Sequence, residues 1–365
     1  MMEKIKSIEN VDFSLAGKRV AVRVDFNVPV KKGKVMEDFR ISKTLPTLKF
    51  LSGKKSKIIL ISHIGEDGAR SLKPVAEYLK KYFTVNFHRG DIESAKKGIE
   101  KMKNGEILML ENIRVHKGEV KNSVAFAKKL SELGDVFVND AFSVSHRKHT
   151  SIIGMPKYLP SYAGLLFWEE LKNLGNALET KHPSLLILGG VKFGTKLGVL
   201  ERFLKIADKI FVGGALANNF FKLKGVDIEK SVFDKNVSVK KYLNNKKIIL
   251  PEDVVKKNGV ILDAGTETIK TLSKFIKDAK SILWNGPLGN FEIKGFEKST
   301  EKIARAIAES KAESIIGGGD TVAAVKKSGI SLEKFSFVST AGGAMLEFLA
   351  KGILPGIEAL KKSKK

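Results

Sequence analysis

Cysteine is absent from the 365 residues. There is therefore no disulfide framework, no thiolate metal ligand and no cysteine nucleophile. Long apolar runs are missing too: stretches such as Ile58–Ile61 and Leu185–Leu188 are far too short to span a bilayer. The opening Met-Met-Glu-Lys-Ile-Lys lacks the apolar core of a signal peptide. A cytoplasmic, enzyme-like protein is the expectation. Acidic residues are in deficit: 40 Asp and Glu face 65 Lys and Arg, a formal charge of +25. Such a surface attracts polyanions. Yet the lysines are spread along the whole chain, with no arginine-rich arm and no basic segment interleaved with aromatics. A solvated lysine coat is expected rather than a dedicated nucleic-acid site.

At 365 residues the chain exceeds what one core usually serves, so two domains are expected. Arginine is scarce, at nine residues, and seven of the nine precede residue 150, as do five of the six histidines. A chain that coats itself with lysine but gathers Arg and His in one half is expected to use them there. Planar guanidinium forks suit bidentate recognition of carboxylate and phosphate. The valine-rich strand Arg19–Asp25 ends in Asp25-Phe26-Asn27-Val28-Pro29, where proline stops the ladder. Arg40 follows, just before a helix expected over Ser42–Leu51 whose serine would cap it. Lys57–Ser62 delivers His63 to the loop Ile64–Ser71, and Ile107–Leu110 runs into Glu111-Asn112-Ile113-Arg114. Val136–Val138 runs into Asn139-Asp140-Ala141-Phe142 and then Ser145-His146-Arg147. These strands have apolar middles and polar or cationic ends. Strand–helix alternation implies an α/β fold with a parallel sheet covered on both faces, whose ligands bind beyond the strands' carboxyl ends. Arg23, Arg40, Arg114 and Arg147, with His63 and His146, form a candidate anion site. His88, His116, His149 and His182 read as ordinary surface or core residues.

Ala163–Leu178, bracketed by Gly164 and Gly175, is the candidate connector and hinge. Beyond it glycine takes over the strand ends. Leu185–Leu188 is followed by Gly189-Gly190-Val191-Lys192-Phe193-Gly194-Thr195-Lys196. This is no Walker A loop, because threonine precedes lysine. It presents Lys192 and Lys196 four apart, able to face one phosphate chain if the helix has begun. Lys209–Val212 ends at Gly213-Gly214, Val260–Leu262 runs into Asp263-Ala264-Gly265-Thr266, and Ile282–Trp284 enters a loop from Asn285 to Glu292. Ile315–Thr321 reads Ile-Ile-Gly-Gly-Gly-Asp-Thr and opens a helix. Glycines at such a turn let backbone N–H groups approach a phosphate, and the helix N-terminus favours negative charge. Asp320 would repel that phosphate unless a cation lay between them, so Asp320 beside Thr321 suggests a Mg²⁺–phosphate site. A plain turn and helix cap would use the same residue types.

Taken in order, several motifs resemble the phosphoglycerate kinase family over essentially the whole chain. They are Val22-Arg23-Val24-Asp25-Phe26-Asn27-Val28-Pro29, Ser62-His63-Ile64-Gly65, Asn139-Asp140-Ala141-Phe142 with His146-Arg147, Trp284-Asn285-Gly286-Pro287, Gly317-Gly318-Gly319-Asp320-Thr321 and Ser339-Thr340-Ala341-Gly342-Gly343-Ala344. The resemblance implies two doubly wound, mainly parallel-sheet α/β domains joined by a hinge helix. Residues 1–162 would bind phosphoglycerate, 163–178 would connect, 179–350 would bind nucleotide, and 351–365 would return to the N-terminal domain. It implies reversible phosphoryl transfer between 1,3-bisphosphoglycerate and ADP, giving 3-phosphoglycerate and ATP, by a monomer that closes about its hinge, in glycolysis and gluconeogenesis. At matching positions, Asp25, Asn27, Arg40, His63, Arg114 and Arg147 would hold the acid substrate. Lys192, Lys196, Gly213, Gly214, Asn285, Pro287, Glu292, Gly317, Gly318, Gly319, Asp320 and Thr321 would hold the nucleotide, with Asp320 on Mg²⁺ and Glu292 at the sugar. Arg40 and Lys192 would be catalytic. The chain departs from the family at Glu66, where arginine is usual after Ser-His-x-Gly; Arg70 is a candidate substitute. Thr195 stands where aspartate is common, and Ala341 replaces a glycine. Fold and reaction are expected to survive these changes, with affinity for the acid substrate the property at stake. A polyanion-binding protein on the same fold, or a kinase for another acyl phosphate, are the alternative readings.

Overall fold

The computed structural model describes residues 5–191 and 193–363. The chain forms two compact units, one reaching Lys172 and taking in the segment from Ile353 onward, the other Asn173–Gly352. The division falls inside the helix Leu165–Asn176.

The first unit is built on six parallel strands in the spatial order Val85–His88, Ile107–Leu110, Lys57–Ile61, Arg19–Arg23, Val136–Asn139, Ser161–Ala163. Strand interiors are apolar at consecutive positions because helices cover both faces of the sheet. Side chains alternate between the two faces. Val20, Val22, Ile58 and Leu60 therefore pack in one core with Leu48 and Val75, while Ala21, Ile59 and Ile61 pack in another with Ile99 and Phe137. The helix expected over Ser42–Leu51 runs from Phe39 to Gly53 instead. Ser42 does not cap it. Its hydroxyl donates back to the Phe39 carbonyl at 2.9 Å, so Arg40 stands within the first helical turn rather than before it. The helix Pro355–Lys361 packs on this unit, where Gly356 N–H donates to Ser145 O at 2.8 Å. A side chain at Gly356 would press on Ser145.

The second unit carries a second parallel sheet, in the order Ile248–Ile249, Lys209–Val212, Ser184–Leu188, Ser281–Asn285, Glu313–Gly317, Phe337–Ser339. The strand order reverses between Ser184–Leu188 and Ser281–Asn285, and a reversal of this kind opens a crevice at the strands' carboxyl ends. One expected strand leaves the sheet. Val260–Ala264 pairs antiparallel with Val254–Lys257 as a separate hairpin. Its two-residue turn is Asn258-Gly259, with φ of 53° and 77°, the positive pair that a tight primed turn requires. Among the described residues no helix is long and apolar enough to cross a membrane.

Candidate active site

In the first unit, four strand ends meet. Ser62 ties two of them together: its hydroxyl accepts from Phe26 N–H at 2.9 Å and donates to Val24 O at 3.0 Å. Asp25 is the centre. Its carboxylate accepts from Arg40 Nη1 at 2.9 Å, from Asn27 N–H at 3.0 Å and from the Ser143 hydroxyl. Burial alone would raise the Asp25 pKa, but Arg40, His63, Ser143 and Asn27 outweigh it and hold the carboxylate below its ordinary range. Arg40 Nη1 also donates to Asn27 O at 3.2 Å, and the Asn27 side-chain oxygen accepts from Gly65 N–H at 3.0 Å. Gly65 leads to the arginines. Arg114 Nη1 donates to Gly65 O at 2.5 Å and to Glu66 Oε2 at 3.0 Å, and Arg147 Nη1 reaches the same oxygen at 3.2 Å. Asp25, Asn27, Arg40, His63, Arg114 and Arg147 thus belong to one connected cluster.

Arg23 differs from expectation. It is 1% exposed, its Nε donates to Ser151 Oγ at 2.8 Å, and its Nη2 lies 3.3 Å from His63 Nδ1. The same Ser151 hydroxyl donates to the buried Glu119 at 2.5 Å. Arg23 is therefore an internal cation that backs His63, not a group at the surface. Strand alternation places Arg23 on the same face as Ala21, which packs in a buried core. Ser143, Ser151 and Glu119 carried no signal in the sequence, because single Ser and Glu residues are too common. Arg70 packs its aliphatic stem beside Gly65, within the loop that carries Glu66.

His63 is 2% exposed. Burial, with Arg23, Arg114 and Arg40 around it, pushes its pKa down to about 3 against the pull of Asp25. It is neutral in the folded protein, whereas the unfolded chain takes up that proton near pH 6.5. The unfolded state then binds more protons, so stability falls as pH drops from about 6.5 toward the folded value. His63→Gln is expected to flatten this loss by up to roughly 1.4 kcal/mol per pH unit. Urea unfolding at pH 7 and pH 5 measures it, and identical pH slopes in both proteins would contradict a buried neutral imidazole.

In the second unit, the loops at the sheet's reversal point are stitched by backbone. Gly189 N–H donates to Asn285 O at 2.9 Å, Gly190 N–H to Pro287 O at 2.7 Å and Gly213 N–H to Leu188 O at 2.7 Å. Asn285 Nδ2 donates to Gly317 O at 2.8 Å, and Thr321 Oγ1 accepts from Gly286 N–H at 2.7 Å. Asn285 and Thr321 are buried and brace the turn from within. Gly318 takes φ of 99° directly before the helix Gly319–Lys327, a region that favours glycine, and an added Cβ would meet Asn285 Nδ2 at 2.9 Å. Asp320 stands exposed in that helix's first turn. It opens onto a cavity of about 390 Å³ walled by Phe221, Val254, Ile261 and Leu262, and bordered by Gly214, Pro287 and Glu292. An apolar slot ending at a helix N-terminus and a carboxylate suits a planar base joined to phosphates.

Lys192 lies outside the described residues. Lys196 is 4% exposed and its Nζ donates to Gly189 O, within the glycine-rich loop it follows. The helix begins at Gly194, which puts Lys196 in its first turn. Another cavity, of about 300 Å³, lies at the amino ends of the strands beside Ser184, Ser281 and Glu313. Its rim groups pair with one another, Lys181 with Glu313 at 2.9 Å and Thr180 with Ser281 at 2.5 Å. The site chemistry is at the other end.

The family model "Phosphoglycerate kinase" matches residues 10–351. The chain is 39% identical over 390 aligned positions to a phosphoglycerate kinase of Pelotomaculum thermopropionicum, covering 97% of this chain and 98% of that one. It is 43% identical over 391 positions to that of Haemophilus influenzae, covering 98% and 99%. Among solved structures, phosphoglycerate kinase from Coxiella burnetii superposes with a TM-score of 0.83 at 36% identity, covering 98% of each chain. That from Pyrococcus horikoshii superposes with a TM-score of 0.86 at 31% identity, again covering 98% of each.

Proposed function

The chain belongs to the phosphoglycerate kinase family, and from that premise we propose that it transfers a phosphoryl group reversibly between 1,3-bisphosphoglycerate and ADP, giving 3-phosphoglycerate and ATP. One observation carries the reading above all. Arg40, His63, Arg114 and Arg147 gather at the strand ends of one unit, while the other unit places Asp320 at the mouth of an apolar cavity. Cations for an acid phosphate and a slot for a nucleotide are the two halves this reaction needs.

An acyl phosphate has a good leaving group, the carboxylate of 3-phosphoglycerate, so transfer of its phosphoryl group to ADP needs no general base. Catalysis reduces to alignment and to neutralising charge on the moving phosphoryl group. Arg114 and Arg147 hold the substrate's phosphate, His63 and Asn27 orient its carbon skeleton, and Asp25 fixes Arg40 for the transferred group. Lys192 is assigned the same task from the nucleotide side. Gly213, Gly214, Pro287 and Glu292 border or support the base and sugar, and the turn Gly317–Thr321 receives the phosphates. Lys196, whose Nζ sits on Gly189 O within these glycine-rich loops, is assigned to the nucleotide's phosphates beside Lys192.

A nucleotide of this kind carries Mg²⁺. Asp320 fits as its protein ligand: it is a hard oxygen donor, exposed at the helix N-terminus. Among the described residues no group of three acidic, His or Cys side chains could cage a metal. One carboxylate plus substrate phosphates is the usual manner of Mg²⁺ binding. When bound, the cation would neutralise phosphate charge. Hinge closure of the two units would exclude water that otherwise hydrolyses the acyl phosphate. We assign the protein to glycolysis and gluconeogenesis, as a cytoplasmic monomer with no dedicated nucleic-acid site.

The test is steady-state turnover with MgATP and 3-phosphoglycerate, drained by glyceraldehyde-3-phosphate dehydrogenase and followed as NADH loss, beside Lys192→Ala. Turnover is expected to need both substrates and to collapse in the variant. MgADP at 100 times its Kd should also stabilise the fold by about 2.7 kcal/mol. Nucleotide protection without turnover would point to another acyl phosphate.

A further inference from the structure

Glu66 stands where the arginine cluster meets solvent. Its side chain is 71% exposed, whereas that of Arg114 is 2% exposed. A single oxygen, Oε2, bridges Arg114 Nη1 at 3.0 Å and Arg147 Nη1 at 3.2 Å. The arginine is the fixed partner. Arg114 Nη1 is also held by Gly65 O at 2.5 Å, and the Glu66 loop folds back so closely that a Cβ on Gly68 would lie 2.7 Å from Arg114 O. Burial disfavours the charge on Arg114 most strongly and the neighbouring Arg147 disfavours it further, while Glu66 opposes them only in part. An oxygen anion bridging two guanidiniums is the same arrangement that a phosphate adopts with paired arginines.

We propose that Glu66 is a tethered competitor for the anion site: its carboxylate takes the guanidinium edges that a phosphomonoester must occupy, so substrate binds by displacing it. The inference rests on the substrate assignment made above for this cluster. The exchange is favourable because a phosphate dianion brings more charge and three acceptor oxygens against one carboxylate. It is nevertheless weaker than binding to an unmasked arginine pair. Displacement is feasible for an exposed side chain between Gly65 and the loop residues 67–71, since it needs rotation of Glu66 alone. The consequence is a lowered affinity for every phosphorylated acid, set by one side chain that never touches the reacting atoms.

Calorimetric titration of 3-phosphoglycerate into the full chain, run beside the kinetic assay, tests this with Glu66→Gln and Glu66→Asp. Glu66→Gln keeps the shape and removes the charge, and roughly tenfold tighter Kd and KM together are expected. Glu66→Asp keeps the charge but loses the reach to both arginines, and it should tighten binding as well. If Glu66→Asp binds like the wild type while Glu66→Gln tightens, only the field of the charge acts and the competitor is overturned. Unchanged or weaker binding in Glu66→Gln overturns it too, since Glu66 then positions Arg114. Calorimetry separates this from the reaction itself. Tightening without any turnover upholds the competitor and removes the kinase reading, whereas turnover with unchanged Kd does the reverse.

Discussion

Asp320→Asn is expected to erase much of the advantage that Mg²⁺ gives nucleotide binding. In the wild type, MgADP should bind far better than ADP in EDTA, because metal-free phosphates arriving at this turn would meet the Asp320 carboxylate. The asparagine variant keeps the size and loses the charge. Affinity for MgADP should then fall at least tenfold and kcat by about 10²–10³, the usual loss on removing an electrostatic element of a phosphoryl site. Affinity for metal-free ADP should stay level or rise, because a like-charge repulsion has gone. The fold is expected to be indifferent. Asp320 is exposed, and the turn is braced by Asn285 Nδ2 on Gly317 O at 2.8 Å and by Thr321 Oγ1 under Gly286 N–H at 2.7 Å. Titrations of ADP with Mg²⁺ and with EDTA read both signs. Equal losses under the two conditions would mean that Asp320 contacts the nucleotide directly and holds no metal.

Much of this candidate site is legible in the sequence, and the reason is the parallel sheet. Its strands are covered on both faces, so polar residues concentrate at their ends, and ligands gather at the carboxyl ends. Asp25, His63, Arg114 and Arg147 announced themselves in this way, each following an apolar run. The Gly317–Thr321 turn was legible for a different reason, the backbone freedom that Gly318 uses at φ of 99°. What stayed hidden depends on the direction of a side chain or on distant partners. Arg23 looks like its neighbours in the row but turns inward to Ser151, 128 positions away. Ser143 reaches Asp25 across 118 positions, and no local pattern marks such a pair. The burial of Lys196 was hidden as well, because its Nζ turns to Gly189 O, a backbone partner that no side-chain pattern marks. The hairpin at Val254–Ala264 was legible in principle: Asn258-Gly259 between apolar strands is a strong turn signal. Strand–helix alternation on either side drew Val260–Leu262 into the main sheet instead.

Arg40 is where fold and chemistry are hardest to separate, and its two substitutions pull them apart. Nη1 is committed to Asp25 Oδ2 at 2.9 Å and to Asn27 O at 3.2 Å, yet the side chain is still 31% exposed. A guanidinium has five N–H donors, so the anchored edge leaves others for a phosphoryl oxygen. Lysine can supply the anchor or the reach, but one ammonium cannot supply both in a planar fork. Arg40→Lys is therefore expected to keep most of the stability and lose about 10²-fold in kcat, while Arg40→Ala loses about 10³-fold. The alanine variant should also lose stability, about 1–3 kcal/mol, because it leaves the buried Asp25 carboxylate without its strongest cation. The pH dependence gives the sign. Asp25 has a depressed pKa in the folded protein, so the stability it contributes is complete above the unfolded carboxylate value near 4 and disappears as pH falls through about 2. Removing Arg40 raises the folded pKa and shrinks that contribution, so the variant should unfold at a higher pH on acid titration. Kinetics at saturating substrates and acid titration by circular dichroism supply the two readouts. An alanine variant with a raised KM and near-normal kcat would make Arg40 a binding group for the ground state only. A variant with normal acid stability would mean that Ser143, Asn27 and His63 suffice to hold Asp25 charged.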